Sequence, residues 1–347
     1  LVRLFYTHIT MASDNNKYLS DQSILTVLLC ALAIPMSMSF WIINLIYSKF
    51  IANHEGFDEP VVISPGRWLA SCLLPLLLAV YAYRKKSIVL SGALLGAGIA
   101  FILNLSNYSF SVCLIVFFLS SSKATKVRSH LKQKLEADFK EGGQRTWVQV
   151  LCNGGMATQL ALLYLLDVGA SERPIDFVRD YRASWLTIGV LSVFSACNGD
   201  TWASELGTVF SNSDPYLVTS FKRVPIGTNG AISMAGTLFS TAGGLIVGLF
   251  QYLTIFYFSE SSLWQYAPPQ WPIIMFGALS GFIGSLIDSL LGATLQYSGL
   301  NKQGQIVTHS SLAVKHVSGR NILDNNSVNL ISTVIIGLLM PTLCNIF

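Results

Sequence analysis

Nine apolar segments dominate this chain and constrain its fold more than any other feature of the sequence. A helix needs about 20 mainly apolar residues to cross a ~30 Å hydrocarbon core, and its backbone polar groups must be paired internally. Of the 347 residues, 52% are hydrophobic and only 12% are charged. The sequence therefore predicts an all-α, polytopic membrane bundle of about nine transmembrane helices, at residues 24–48, 68–83, 88–104, 108–122, 147–167, 183–198, 229–256, 272–292 and 328–347.

Short basic connections predict the orientation of this bundle. Clusters of Lys and Arg follow the second segment, at 84–86, and the fourth, at 123–145, and such clusters mark cytosolic loops. The N-terminus is then cytosolic, with residues 1–23 as a tail and 24–347 as a single transmembrane domain. In the second cluster, Val127, Leu131, Leu135 and Phe139 lie on one helix face. This predicts a cytosolic amphipathic helix at about 127–141, either lying on the membrane or covering a site.

Net charge and cysteine spacing argue against several other classes of protein. The net charge of +4 is small and scattered, so no nucleic-acid partner is expected. The six cysteines show no CxxC spacing and lie in or beside apolar segments, so we interpret them as small core residues. Glycine pairs four residues apart, at 92 and 96, 244 and 248, and 277 and 281, predict close helix packing.

The stretch from residue 195 to 230 concentrates charged groups at the predicted cytosolic surface. It contains two acids, two bases and a turn-forming sequence: Asp200, Glu205, Lys222, Arg223, Gly227, Thr228, Asn229 and Gly230. Acids can hold a divalent cation, bases can neutralise phosphate, and a glycine turn leading into a helix offers free backbone N–H groups. The pattern predicts a cytosol-facing site for a nucleotide phosphate with Mg²⁺.

Further polar residues fall on the same predicted face of the bundle. Lys123 and Arg145 flank the second basic cluster, Asp288 lies near the inner end of the eighth segment, and Asn325 opens the ninth. Unpaired charge in hydrocarbon is costly and is usually retained for function. We therefore expect one composite site, with Asp200, Glu205 and Asp288 as metal ligands and Lys123, Arg145 and Asn325 as phosphate or nucleotide contacts.

Each of these residues also has a structural interpretation, which the sequence leaves open. Asp200 could cap a helix that runs through Leu206, and Lys222 with Arg223 could simply anchor the orientation. Residues 227–230 could be only a turn, and Arg145, before Trp147, an interface anchor. Because positions five apart lie about 140° around a helix, Asp200 and Glu205 share a metal only if Asp200 precedes the helix.

Six motifs together resemble the transmembrane protein 19 family over most of residues 40–345. They are EGGQRTWVQVLCNGG (141–155), GDTWASELG (199–207), KRVPIGTNG (222–230), APPQWPII (267–274), GSLIDSLLGATLQY (284–297) and ILDNNSVNL (322–330). The wider family resembles the plant phytyl-phosphate kinase. This resemblance implies phosphorylation of a prenyl phosphate, a membrane lipid, to the diphosphate with CTP as donor. It implies the endoplasmic reticulum or another endomembrane as the default location.

A second, weaker resemblance is to dolichol kinase, phytol kinase and CDP-diacylglycerol synthase. It implies that Asp200 and Asp288 bind Mg²⁺, that Lys222 or Arg223 contacts phosphate, and that residues 227–230 form the phosphate turn. The synthase pattern continues into a Lys-Arg pair, whereas Leu291, Gly292, Ala293 and Thr294 follow here. That departure argues against synthase activity and leaves kinase chemistry open.

Two other classes of function remain as alternatives. One is a non-enzymatic or degenerate multi-pass membrane protein, which would not bind nucleotide. The other is a lipid transporter, which should carry polar residues through the full bilayer depth and an internal repeat. The first, second, third and seventh apolar segments are nearly free of charge and no segment recurs, so the sequence favours the kinase.

Overall fold

The computed structural model describes residues 28–51, 62–128, 144–211, 213–310 and 314–344. In this part of the chain each of the nine predicted segments is helical, which confirms the prediction of helices. The helices are α1 (Leu28–Lys49), α2 (Pro65–Arg84), α3 (Leu90–Ser106), α4 (Tyr108–Ala124), α5 (Trp147–Asp167), α6 (Tyr181–Trp202), α7 (Met234–Phe258), α8 (Pro272–Leu295) and α9 (Asn325–Cys344). The predicted tail at 1–23 and, apart from residues 127 and 128, the amphipathic helix at about 127–141 lie outside the described residues.

Six of the described helices are long and apolar enough to cross a membrane: α1, α2, α5, α7, α8 and α9. Helices α3 and α4 are apolar but have 17 residues each, and α6 has 22 residues with a more polar composition. The protein is therefore a multi-pass helical membrane protein. Nine crossings and a cytosolic N-terminus stay predictions.

Local sequence signals set where several helices begin. The Asn107 side chain accepts a hydrogen bond from the Ser109 N–H at the start of α4, and Ser233 accepts one from the Gly236 N–H at the start of α7. Helix α5 begins with a capping box between Thr146 and Gln149. These side chains satisfy N–H groups that have no partner within a helix.

The described residues form two units, Leu1–Val80 and Tyr81–Phe347. In the first unit, the Phe40 ring packs 5.5 Å from the Trp68 ring, and the Asn44 side chain accepts a hydrogen bond from the Ile63 N–H at 3.1 Å. The second unit contains the remaining helices and all the residues that the sequence singles out as a site.

Helix α6 lies at the centre of the second unit. It packs against α4, α5, α7, α8 and α9, and its residues from Ala183 to Gly199 are almost all buried. Its hydroxyl groups make contacts inside the protein, such as the one between Ser192 and Ser280 at 3.1 Å. A helix that faces other helices rather than lipid tolerates such polar residues, which explains why α6 is less apolar than its neighbours.

The glycine pairs of α7 and α8 form the close crossing that the sequence predicts. A Cβ on Gly244 would overlap the Gly277 carbonyl oxygen and lie 2.8 Å from the Gly281 Cα. The two backbones are thus in direct contact, so larger residues cannot be accommodated without moving a helix. All six cysteines are free, in agreement with their interpretation as core residues.

The helix ends alternate so that one end of the second unit collects most of the polar side chains. Contacts join the ends of α4 and α6 (Ser120 with Asn198) and the starts of α5 and α9 (Asn153 with Asn329). We call this end, formed by the starts of α3, α5, α7 and α9 and the ends of α4, α6 and α8, the polar end.

Two small antiparallel sheets occupy the polar end. The first pairs β1 (Tyr216–Leu217) with β2 (Ala231–Ile232), and the second joins β3 (Ser298–Leu300) to β4 (Ile306–Val307) and β5 (Lys315–Ser318). The sequence analysis missed both sheets. It also placed the start of the seventh helix at residue 229, whereas β2 and the Ser233 cap delay that start to Met234.

Candidate functional site

Asp200 and Asp288 lie close together at the polar end, near the end of α6 and in the last third of α8. Each is half-buried, and the two carboxylates lie within electrostatic reach of each other. The Ser285 hydroxyl is 3.5 Å from Asp200 Oδ1, and the Ser332 hydroxyl donates to Asp288 Oδ2 at 3.4 Å. Two acids that repel each other at this depth are costly unless a cation or a partner compensates for them.

Glu205 extends this acidic group through an irregular helix end. Asp200 lies inside α6, so the interpretation of Asp200 as a helix cap or as a residue before a helix is wrong. A π turn, Ala203–Gly207, follows α6 directly. Because a π turn holds more residues than an α turn, it rotates Glu205 back toward the side of Asp200. The two carboxylates lie within electrostatic reach of each other.

Two amide side chains border the acids on the side of α5 and α9. In one orientation, the Asn329 amide nitrogen donates to Asn153 Oδ1 at 3.1 Å. In the other, it donates to Asp288 Oδ2 at 3.2 Å and to the Asn325 carbonyl oxygen at 3.1 Å. Asn329 thus links Asp288 of α8 with Asn153 of α5. The sequence analysis did not single out Asn153, although it lies in the CNGG part of a quoted motif.

Asn198 fixes the end of α6 that carries Asp200. This fully buried side chain accepts hydrogen bonds from the Ser120 and Ser121 hydroxyls, at 2.7 and 2.9 Å, and donates to the Gly243 carbonyl oxygen at 2.8 Å. The next residue, Gly199, has no room for a side chain, because a Cβ would lie 2.7 Å from the Ser240 carbonyl oxygen. Helices α4 and α7 therefore hold Asp200 in a defined place.

Arg145 lies at the polar end just before α5. Its guanidinium donates to the Ser122 hydroxyl at 2.7 Å and is near Glu205. Burial lowers the pKa of Arg145, and the Glu205 carboxylate acts in the opposite direction. The group stays charged at neutral pH, because an arginine begins from a very high pKa.

The turn at residues 227–230 packs against the end of α8. Gly230 has a φ of +76°, and a Cβ there would overlap Ala293 and the Ser289 carbonyl oxygen. The Asn229 N–H donates to the Ser298 hydroxyl at 3.0 Å, and the buried Thr228 hydroxyl donates to the Pro225 carbonyl oxygen at 2.6 Å. These polar groups are engaged in packing within the protein. Contact of the turn with phosphate stays a prediction.

The remaining predicted site residues are exposed at the polar end. Lys222 and Arg223 lie on the β1–β2 connection, Lys123 lies in the last turn of α4, and Asn325 is the first residue of α9. The Arg223 guanidinium lies 5.8 Å from the Tyr216 ring, and a hydrogen bond with Tyr216 raises the pKa of Arg223. No contact of these four side chains with Asp200 or Asp288 is seen in the described residues.

Comparison with known proteins identifies the family of this chain. Residues 73–337 match the family described as integral membrane protein DUF92. The chain belongs to the DUF92 family. Protein PGR of Arabidopsis thaliana is 40% identical over 270 residues, which are 78% of this chain and 93% of that protein. An uncharacterized membrane protein of Methanocaldococcus jannaschii is 27% identical over 274 residues, 79% of this chain and 92% of that protein.

A further DUF92-type match is Protein VTE6, chloroplastic, of Arabidopsis thaliana. It is 29% identical over 180 residues, which are 52% of this chain and 47% of that protein. No solved structure matches the chain.

The donor atoms at the polar end of this DUF92 protein suit a hard divalent cation. Asp200 and Asp288 offer carboxylate oxygens, flanked by the Ser285 and Ser332 hydroxyls. Mg²⁺ prefers oxygen ligands and usually takes one or two protein carboxylates together with substrate phosphates. The described residues contain no group of three or more His, Cys, Asp or Glu side chains that could hold a metal ion. The pair fits Mg²⁺ shared with a phosphate ligand better than an all-protein cage.

Proposed function

We propose that this DUF92 protein is a nucleotide-dependent lipid-phosphate kinase that phosphorylates a prenyl phosphate to the diphosphate, with CTP as donor and Mg²⁺ as cofactor. One observation carries the proposal: Asp200 and Asp288 lie side by side at one end of the bundle, with Glu205 and the cation Arg145 beside them. Phosphoryl transfer needs this combination, because opposite charges must hold the metal and the phosphates.

The reaction needs little covalent help from the protein. An oxygen of the acceptor phosphate attacks the terminal phosphorus of the nucleotide, a new P–O bond forms, and the bond to the bridging oxygen breaks. The nucleoside diphosphate leaves with that oxygen. Because the acceptor is already an anion, no strong general base is required, which agrees with the absence of a histidine from the predicted site.

Each residue has a defined task in this scheme. Asp200 and Asp288 would hold the Mg²⁺ ion, with Glu205 near them, and bound Mg²⁺ neutralises charge on the transferring phosphoryl group. Lys222, Arg223 and Lys123 would attract the nucleotide phosphates, with the turn at 227–230 and Asn325 at the border of the site. Asn198 and Asn329 orient the two acids through contacts with neighbouring helices.

The similarity to other sequences supports the same proposal. The motifs that contain Asp200, Asp288 and Arg145 are those in which the chain resembles the transmembrane protein 19 family and the plant phytyl-phosphate kinase. Within the DUF92 family we therefore assign the chain to the transmembrane protein 19 group, acting at the cytosolic leaflet of the endoplasmic reticulum or another endomembrane.

The test is an assay of the purified full chain in detergent with Mg²⁺, CTP or ATP, and a panel of prenyl monophosphates. We expect formation of prenyl diphosphate with CTP and loss of activity in Asp200→Asn. Thermal unfolding with each nucleotide gives an independent measurement, because a ligand that binds the folded state raises its transition temperature. Absence of both turnover and nucleotide-dependent stabilisation would favour a non-enzymatic protein.

A further inference from the structure

Arg145 is held in place by its backbone as well as by its side chain. Its N–H donates to the Ser87 carbonyl oxygen at 3.1 Å, and its carbonyl oxygen accepts from the Val89 N–H at 3.1 Å. The guanidinium donates to Ser122 on α4 at 2.7 Å. An interface anchor needs no such restraint, because a long basic side chain reaches the headgroups from many positions. The fold therefore specifies where this cation lies.

Helix α3 is shaped to admit Arg145. A Cβ on Gly92 would lie 2.7 Å from the Arg145 carbonyl oxygen, so any larger residue would displace the segment before α5. On the side of α4, the guanidinium carbon lies 5.4 Å from the centre of the Phe118 ring and 6.0 Å from that of Phe117. Aromatic faces attract a guanidinium and limit its movement.

Arg145 has spare hydrogen-bonding capacity directed at no protein acid. A guanidinium carries five N–H donors, and within the described ranges Ser122 is the only acceptor of a side-chain hydrogen bond from Arg145. In the same ranges Arg145 forms no ion pair. Glu205 lies within electrostatic reach of Arg145 and of Asp200, which places the cation beside the acidic group. A half-buried cation without an ion pair is suited to an anionic ligand.

The surface next to Arg145 faces lipid. Trp147 is 50% exposed, and Leu90 and Leu94 at the start of α3 are 59% and 68% exposed. Tryptophan is enriched where a membrane protein crosses from hydrocarbon to headgroups. A lipid whose tail lies along α3 and α5 would therefore present its headgroup at Arg145. The exposed Lys222 and Arg223 lie instead on the β1–β2 connection, which suits the soluble nucleotide.

We propose that Arg145 binds the phosphate monoester of the lipid acceptor and thereby makes the site select lipid phosphates over lipid alcohols. This inference rests on the proposed function, and it assigns Arg145 to the acceptor rather than to the nucleotide. A guanidinium can form two parallel hydrogen bonds with a phosphate, whereas an alcohol offers neither the charge nor the second oxygen.

Direct binding measurements test the assignment without any turnover. The probes are geranylgeranyl monophosphate and geranylgeraniol, which share one tail, added to the full chain in detergent. We expect the wild type to bind the phosphate more tightly than the alcohol. Arg145→Gln should weaken phosphate binding about 10- to 100-fold, as expected for the loss of hydrogen bonds to a charged group, and leave alcohol binding unchanged. Arg145→Lys should retain part of the affinity, because a point charge replaces the fork.

Two further variants separate this role from a general effect of charge or folding. Arg320→Gln removes an exposed cation at the same end of the bundle and should bind both lipids as the wild type does. Ser122→Ala keeps the charge of Arg145 and removes the contact that orients it, so phosphate binding should weaken only a few-fold. Equal losses for the phosphate and the alcohol in Arg145→Gln would overturn the inference.

Kinetics distinguish failure of the inference from failure of the proposed function. In an active enzyme, Arg145→Gln should raise the KM for the lipid phosphate and leave the KM for CTP unchanged. A raised KM for CTP with unchanged lipid binding would assign Arg145 to the donor and overturn the inference. If the wild type transfers no phosphate, the proposed function fails, while the binding comparison still decides whether Arg145 recognises a lipid phosphate.

Discussion

At the scale of single residues, Asp200 and Asp288 form a pair whose charges repel in the absence of a cation. Replacing either acid by the isosteric amide keeps the contacts with Ser285 or Ser332 and removes the repulsion. We therefore expect Asp200→Asn and Asp288→Asn to unfold at the same or a higher temperature than the wild type without Mg²⁺. With Mg²⁺ and CTP the wild type should be stabilised and the variants should not. Kinase activity should fall at least about 100-fold, as for other losses of electrostatic contacts to a reacting group.

Asp324→Asn is the matched control for this prediction. It removes an acid at the same end of the bundle, and asparagine caps a helix about as well as aspartate does. Its response to Mg²⁺ and CTP should therefore equal that of the wild type. An Asp288→Asn protein that still responded fully to Mg²⁺ would show that the pair does not hold the metal.

Asp324 itself should give α9 a stability that depends on pH. Hydrogen bonds from the hydroxyl and the N–H of Ser327 lower the pKa of Asp324 below its ordinary value. Its contribution is thus fully present above the unfolded-state pKa and is lost as the pH falls through the lowered folded-state pKa. At pH 7 Asp324→Ala should destabilise the protein by about 0.5–2 kcal/mol, as for other caps. The difference from the wild type, measured by thermal unfolding, should disappear in acid; a constant difference would exclude a charge effect.

The sequence indicated the acids of the candidate site but not their partners. Asp200 and Asp288 stand out because charge is rare among apolar residues. Asn153 and Asn198 do not, because an amide in a membrane segment is compatible with many structural roles. Their pairing with Asn329 and with Ser120 and Ser121 depends on which helices are neighbours, and only the fold provides that information.

At the scale of secondary structure, the crossing of α7 and α8 connects packing with the site. Gly281 of α8 lies against both Gly244 of α7 and Gly199, the residue before Asp200. Gly244→Ala should separate α7 from α8, lower the stability by about 1–3 kcal/mol as for other overpacked positions, and move Asp288 relative to Asp200. We expect a lower unfolding temperature in detergent together with weaker stabilisation by Mg²⁺ and CTP.

Gly98→Ala provides the comparison on a neighbouring helix. No atom lies within 4 Å of a Cβ built on Gly98 in α3. Since alanine favours a helix over glycine by about 0.5–1 kcal/mol, this variant should be neutral or more stable. If both substitutions had the same effect, the tight crossing of α7 and α8 would not explain the loss.

The π turn after α6 shows why an element-level prediction from spacing can fail. The sequence analysis assumed regular α-helix geometry and concluded that Asp200 and Glu205 could act together only if a helix began between them. A π turn changes the number of residues per turn, so the two acids come closer while the chain stays helical. No residue in Ala203–Gly207 is specific to π geometry, and packing against α7 accompanies it.

At the scale of the whole molecule, apolar length predicted the helices because lipid imposes the same demand on every crossing. The two small sheets were missed because short polar strands carry no such periodic signal. Helix α6 follows a different rule, since it is surrounded by protein and tolerates hydroxyls and amides along its length. A polar composition in a membrane helix can therefore indicate a central position rather than a doubtful crossing.

The alternation of helix ends predicts that the two ends of α7 lie on opposite sides of the membrane. Its 25 residues span about 37 Å at 1.5 Å per residue, enough for a hydrocarbon core of about 30 Å. Ser220, in the β1–β2 connection, and Ser261, just after α7, are both exposed. With the six native cysteines replaced, Ser220→Cys and Ser261→Cys should react with a membrane-impermeant maleimide from opposite sides of sealed vesicles.

The basic clusters further predict that Ser220→Cys is labelled from the cytosolic side. A non-permeant lysine reagent applied to the same vesicles provides a control for their orientation. Labelling of both cysteines from one side would contradict α7 as a single crossing. Labelling of Ser220→Cys only from the non-cytosolic side would leave the bundle intact but exclude a kinase supplied with cytosolic CTP, because the acids at the polar end would then face the wrong compartment.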